Sequence, residues 1–135
     1  MRYVSNHVSH AFSLKLATRG VTVAEWVVLR ELYDGESAPS ALADRLSMTR
    51  GAISKLADRL IVKGLIVRRA NAGDRRFQSL ALTRAGRAAT PKLAALADEN
   101  DREFFADLDS ATREAIATAM KDIVRRKGLR GAPVD

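Results

Sequence analysis

The chain has 135 residues, of which 47% are hydrophobic and 29% charged, with a formal net charge of +7 and no cysteine. That length suits one domain, or one domain with an extension, and the apolar share can fill a core. Disulfides, zinc fingers and thiol redox switches are excluded, and the surplus of cations puts nucleic acid or an acidic membrane surface first among partners.

The N-terminal stretch MRYVSNHVSHAFSLKLATRG holds no apolar run long enough for a signal peptide or a membrane span, so a cytoplasmic protein is expected. Val4, Val8, Phe12 and Leu16 recur at every fourth position, and Ala11 widens the stripe. This predicts an amphipathic helix stopped by Gly20. His7 and His10 share a face of it, three residues apart, a spacing that can chelate a metal. No third ligand stands at a recognisable spacing, so a dimer contact or a pocket lining is the expected role, and no metal or other cofactor is expected.

Thr22 is placed as N-cap of a second helix, VAEWVVLRELYDG. Val23, Trp26 to Leu29, Leu32 and Tyr33 cover most of its circumference, which predicts a core helix ended by Gly35. Trp26 could floor a ligand cleft, though a lone Trp on such a helix is more often core. Pro39 suits the first turn of a short third helix with Leu42, Ala43 and Leu46 inward. The residues SMT break it, and Thr49 caps a fourth helix with Ile53, Leu56, Ala57 and Leu60 inward and Gly64 as its stop.

Two helices joined by about three residues form the helix-turn-helix pattern. Any helical hairpin can match that pattern, but Thr49, Arg50, Ser54, Lys55 and Arg59 form an outward set of donors and cations. The first four lie on the N-terminal half, the half of a recognition helix that meets base edges and phosphates. The alternative is a solvated face, which is how Asp58 and Lys63 read.

Leu65 to Val67 favour strand, Leu80 and Leu82 alternate, and Asn71, Gly73 and Asp74 favour a turn, so a β-hairpin with a basic tip, NAGDRRF, is expected. A hairpin directly after a helix-turn-helix makes a winged helix. Beyond Thr83, placed as another N-cap, a fifth helix carries Leu93, Leu96, Ala97, Phe104 and Leu108, and Pro91 should kink it or start a fresh turn. Asp98, Glu99, Asp101 and Glu103 read as its solvated face. Asp109 or Ser110 caps a sixth helix with Ile116, Ala119, Met120, Ile123 and Val124 on one side and cations in its last turn. Met48 and Met120 read as filler.

The expected fold is therefore mainly α. A winged helix-turn-helix core over 21–83 is flanked by an N-terminal helix over 1–20 and C-terminal helices over 84–128, with a tail at 129–135. The flanking helices have apolar faces that the core does not consume. They could fold on each other in a monomer, but pairing of two copies is the better expectation. A two-fold dimer would read a near-palindromic site with half-sites about 34 Å apart or a multiple of that.

The segments VTVAEWVVLRELYDG, SALADRLSMTRGAISKLADRLIVKGLIVRR, GDRR and LALTRAG resemble, in this order, the MarR family of bacterial winged-helix transcription regulators. The resemblance implies a homodimer joined through its N- and C-terminal helices, with double-stranded DNA as partner. It implies base or phosphate contacts at Thr49, Arg50, Ser54 and Lys55, and a phosphate contact near Ser40. It matches Asp74 and Arg76 to the wing pair, with Arg75 beside them: the aspartate orients an arginine that enters the minor groove, and Arg76 is the expected one. Many members bind a small aromatic or phenolic acid between the dimer helices and the core, and release the operator. His7, His10 and Trp26 are the candidates for such a site here.

The expected function is thus a repressor of transcription acting on DNA. A winged helix used only for protein contact is the alternative, but it would not need a basic wing and a basic recognition helix together. Catalytic residues are not expected, because no nucleophile set, phosphate loop or metal constellation appears.

Overall fold

The computed structural model describes residues 1–71 and 74–130, with side chains described for 1–70 and 78–130. The order is α1 (Arg2–Ala17), α2 (Val23–Tyr33), α3 (Pro39–Leu46), α4 (Arg50–Val62), β1 (Ile66–Asn71), β2 (Asp74–Leu82), α5 (Arg84–Phe105) and α6 (Ser110–Lys127).

Threonine hydroxyls start three of the helices. Thr22 accepts from the Glu25 N–H, Thr49 from the Ala52 N–H and Thr83 from the Gly86 N–H, each at 3.1 Å. Each satisfies one of the orphan donors of a first turn. Asp109 caps α6 in the same way. Between α3 and α4 the chain turns at Ser47, whose φ of 55° is left-handed, and the Met48 N–H closes the turn onto the Ala43 carbonyl at 2.9 Å. The residues SMT therefore make the tight turn of a helix-turn-helix.

The core lies among α2, α3, α4 and the hairpin. Trp26, Val27, Val28, Leu29 and Leu32 of α2 are buried with Leu42 and Leu46 of α3 and Ile53, Leu56 and Leu60 of α4. Each such side chain stabilises the packed state by about 2 kcal/mol through the apolar surface it removes from water. The hairpin closes the core with Ile66 and Leu80. Its strands are antiparallel, pairing Ile66 with Leu82 and Arg68 with Leu80, and the register shifts between Ala70 and Asn71. Ser37 adds a bridge to Leu80, so the segment before α3 borders the hairpin.

The flanking helices behave differently from one another. Helix α1 packs on α5: the buried Asn100 donates to the Val8 carbonyl at 3.0 Å, and Lys15 pairs with Glu103 at 2.7 Å. Glu103 thus ties two helices together and is more than part of a solvated face. Helix α6 buries no residue, and its apolar side chains Ile116, Met120, Ile123 and Val124 are exposed, as are Phe104 and Leu108. Met120 is accordingly no core filler within the chain, whereas Met48 packs half-buried against the core.

Pro91 neither ends α5 nor begins a new element, since one helix runs from Arg84 to Phe105. The buried Thr90 next to it donates its hydroxyl to the Gly86 carbonyl at 2.7 Å, adding a side-chain bond in the turn where proline lacks an N–H. Among the described residues no helix is long and apolar enough to cross a membrane.

Candidate nucleic-acid interface

Helix α4 has two faces because its apolar residues recur at three- and four-residue steps. Ile53, Leu56, Ala57 and Leu60 are buried, while Arg50, Ser54 and Lys55 are exposed. The exposed three lie in the N-terminal half, next to the Thr49 cap. Among the described residues, the ion pairs of this helix and its cap involve Asp58, Arg59 and Lys63, and Arg50 and Lys55 stand outside them. Two cations and a hydroxyl are therefore presented on one side of a helix whose other side is anchored in the core.

Arg59 is placed apart from that set. Its guanidinium donates to Glu25 Oε1 at 2.9 Å, and Lys63, one turn on, donates to Glu25 Oε2 at 2.6 Å and to the Gly20 carbonyl at 2.6 Å. Glu25 is 0% exposed. Its Oε1 also accepts from the Thr22 N–H at 3.2 Å, which completes a capping box with the Thr22 hydroxyl. Burial works to raise the carboxyl's pKa, but hydrogen bonds from Lys63 and Thr22 and the Lys63 charge outweigh it and hold the group below its ordinary value. Lys63 thus keeps an exposed side chain, as a solvated charge would, but its ammonium pairs with a buried carboxylate. The pattern Thr-x-x-Glu at residues 22 to 25 is the capping-box signature and the one sequence signal that could have flagged Glu25.

Asp58 pairs with Arg68 of β1 at 2.8 Å, linking α4 to the hairpin. Ser40 is half-buried in the first turn of α3, and the N-cap there, Ala38, offers no side-chain bond to the helix. The wing residues Asp74, Arg75 and Arg76 belong to β2, and their side chains lie outside the described residues.

Residues 19–76 match the model of the MarR family. A protein of Thauera aromatica named for transcriptional regulation of the hcr operon is 31% identical over 110 residues, which cover 81% of this chain and 66% of that relative. The repressor MdtR of Bacillus subtilis is 41% identical over 69 residues, which cover 50% of this chain and 44% of MdtR. The chain belongs to the MarR family. It spans less than two thirds of either curated relative, and both are named as regulators of transcription, not as enzymes. A mutant MarR from E. coli complexed with operator DNA has the same fold, with a TM-score of 0.78 at 23% identity over 91% of this chain and 89% of that one. The winged helix-turn-helix of the MarR family is thus the architecture in which α3, α4 and the hairpin sit.

The residues singled out for a ligand site do not converge in one chain. Trp26 is 6% exposed, meets Phe12 edge-on and lines a groove of about 400 Å³ between α2 and α5 together with Arg30, Tyr33, Thr90, Pro91 and Asp98. Trp26 is therefore both a core residue and a groove wall. His7 and His10 are exposed on α1 and do not line that groove; His7 stacks on Tyr3 with ring centroids 4.3 Å apart. Among the described residues no group of three His, Cys, Asp or Glu side chains could hold a metal ion.

Proposed function

We propose that this MarR-family chain is a homodimeric transcription repressor that binds double-stranded DNA. Segment 21–83 reads a near-palindromic operator, and segments 1–20 and 84–128 pair two copies. One observation carries the reading: Arg50, Ser54 and Lys55 stand exposed on the N-terminal half of a helix whose opposite face is wholly buried. A helix so anchored can enter a major groove without giving up its packing. Thr49 and Ser40 sit at adjacent helix starts, where backbone N–H groups and hydroxyls meet phosphate oxygens. Arg76, oriented by Asp74, is assigned to the minor groove, with Arg75 beside it.

The pairing surface is the exposed apolar side of α6, continued by Phe104 and Leu108 and by Tyr3 and Val4 of α1. Water against so much apolar surface favours association, and a two-fold arrangement matches it to itself. The α2–α5 groove, floored by Trp26, takes a small aromatic or phenolic acid. Arg30 supplies a cation for the carboxylate, and occupancy favours release of DNA. His7 and His10 do not line this groove within one chain, and their share in a ligand site is assigned to a second copy.

The deciding experiment is selection of bound duplexes from a random pool, followed by titration of the selected site at several salt concentrations. Affinity should fall steeply with salt, because each neutralised phosphate releases counterions. Failure to enrich any sequence, with a flat salt response, removes DNA binding from the function.

A further inference from the structure

We infer that Glu25 is a positioning residue for DNA sequence recognition: its buried carboxylate, held by Arg59 and Lys63, forms a lock that fixes the rotation of α4 on the core. The inference rests on the DNA-binding reading above and concerns residues which that reading does not use.

The cations of α4 and its cap are divided between two tasks. Those of the N-terminal half face outward. Those of the C-terminal end, Arg59 and Lys63, turn onto a carboxylate that water does not reach. Three donors from two parts of the chain meet at that carboxylate: the Thr22 N–H, Arg59 and Lys63. Lys63 also holds the Gly20 carbonyl, so the loop before α2 is part of the same cluster.

Apolar contacts hold α4 in the core but are non-directional, and they tolerate a small slide or roll of the helix. Charge-assisted hydrogen bonds to fixed oxygens do not. A roll of α4 would move Arg50 and Ser54 together relative to base edges, where bidentate geometry is unforgiving. It would matter far less to phosphate contacts, which long flexible cations can remake. An ion pair on a fully buried carboxylate is a poor device for raw stability, because desolvation of that carboxylate offsets much of its attraction. It also takes two cations out of the phosphate-binding set. A surface tuned for affinity alone would leave Arg59 and Lys63 free. Their engagement fits a helix tuned for discrimination.

The test compares the full-length protein with Glu25→Gln. Glutamine keeps the size of the side chain and its place in the capping box, and removes the charge. The readouts are affinity for a duplex selected by the wild-type protein, affinity for a random duplex of equal length, and the salt dependence of each. The expected result is a loss of about tenfold or more on the selected duplex. On the random duplex affinity should hold or rise, with a steeper salt response as Arg59 and Lys63 become available to phosphates. A merely structural role would scale both affinities together and leave their ratio unchanged. If E25Q is not folded by circular dichroism, Lys63→Met leaves Glu25 paired with Arg59 and should lower the ratio of the two affinities in the same direction. A folded variant with the wild-type ratio overturns the inference. Wild-type protein that prefers no duplex at all overturns instead the DNA-binding reading on which it rests.

Discussion

Gly86 lies against the backbone of Leu65, so closely that a Cβ at Gly86 would sit 2.0 Å from the Leu65 carbonyl oxygen. The same oxygen accepts the Thr83 N–H at 3.0 Å, and the Thr83 hydroxyl donates to the Gly64 carbonyl at 2.6 Å. Thr83 and Gly86 therefore seat the first turn of α5 on the junction between α4 and β1. Through this contact the helix that leads to the proposed pairing surface touches the loop that follows the proposed recognition helix.

Gly86→Ala should lower stability by roughly 1–3 kcal/mol, because a backbone oxygen cannot step aside as a flexible side chain can. Urea unfolding followed by circular dichroism measures it, and the midpoint should fall with the slope unchanged. An unaltered midpoint would mean that α5 slides freely on Leu65 and that the contact is no seat.

Glu25 gives stability a pH dependence with a definite sign. Its carboxyl is held below its ordinary value of 4.5 in the folded chain. A carboxyl whose pKa is lower folded than unfolded contributes stability that is complete above the unfolded value and is lost as pH falls through the folded one. The difference in melting temperature between wild type and Glu25→Gln should thus be largest near neutrality and shrink as pH drops below about 4.5, the unperturbed glutamate range. A difference that is constant from pH 7 to 3 would show that the charge of Glu25 contributes nothing to folding.

Much of this architecture is legible in local sequence, and the reasons are physical. Thr22, Thr49 and Thr83 cap helices because a hydroxyl at that position meets a donor within its own turn, so no distant contact is needed to predict it. The apolar period of α4 predicts its buried face for the same reason. The partner of Arg59 is not legible in this way. Residues 25 and 59 belong to different helices, and only their packing brings a carboxylate under the guanidinium. Lys63 looks solvated on a helical projection because the projection does not show that Gly20 and Glu25 lie beside it. Pro91 shows the opposite balance. It disfavours a helix interior, yet with Thr90 and Leu93 buried on either side of it α5 runs on as one element. Phe104 and Leu108 continue an apolar stripe that the single chain leaves exposed.

That uncovered stripe makes oligomeric state a sharp test. Ile123 is 44% exposed on a helix that buries nothing within its own chain. Ile123→Glu should leave helix content and the core intact and shift the protein from dimer to monomer in analytical ultracentrifugation. Weaker binding to a palindromic duplex should follow, because each half-site is then held alone. If Ile123→Glu instead unfolds the chain, α6 is packed within the protomer and pairing runs through another surface.

Arg50, Ser54 and Arg76 should fail in different ways when changed, and the difference assigns their contacts. A side chain that reads a base edge contributes discrimination at one position of the site, about 1–3 kcal/mol for a good bidentate pair. A side chain on a phosphate contributes affinity to every sequence alike and one increment of salt dependence. Arg50→Ala and Ser54→Ala should therefore relax preference at one or two base pairs in each half-site when selection from random duplexes is repeated. A uniform loss on all sequences would move them to the phosphates. Arg76→Ala should weaken binding with the dimer intact, and most on sites whose outer flanks are rich in A·T, where the narrow minor groove concentrates negative potential. Loss that ignores flanking sequence would place Arg76 on the backbone, and unchanged affinity would take the wing out of DNA recognition and leave Arg50, Ser54 and Lys55 to carry it.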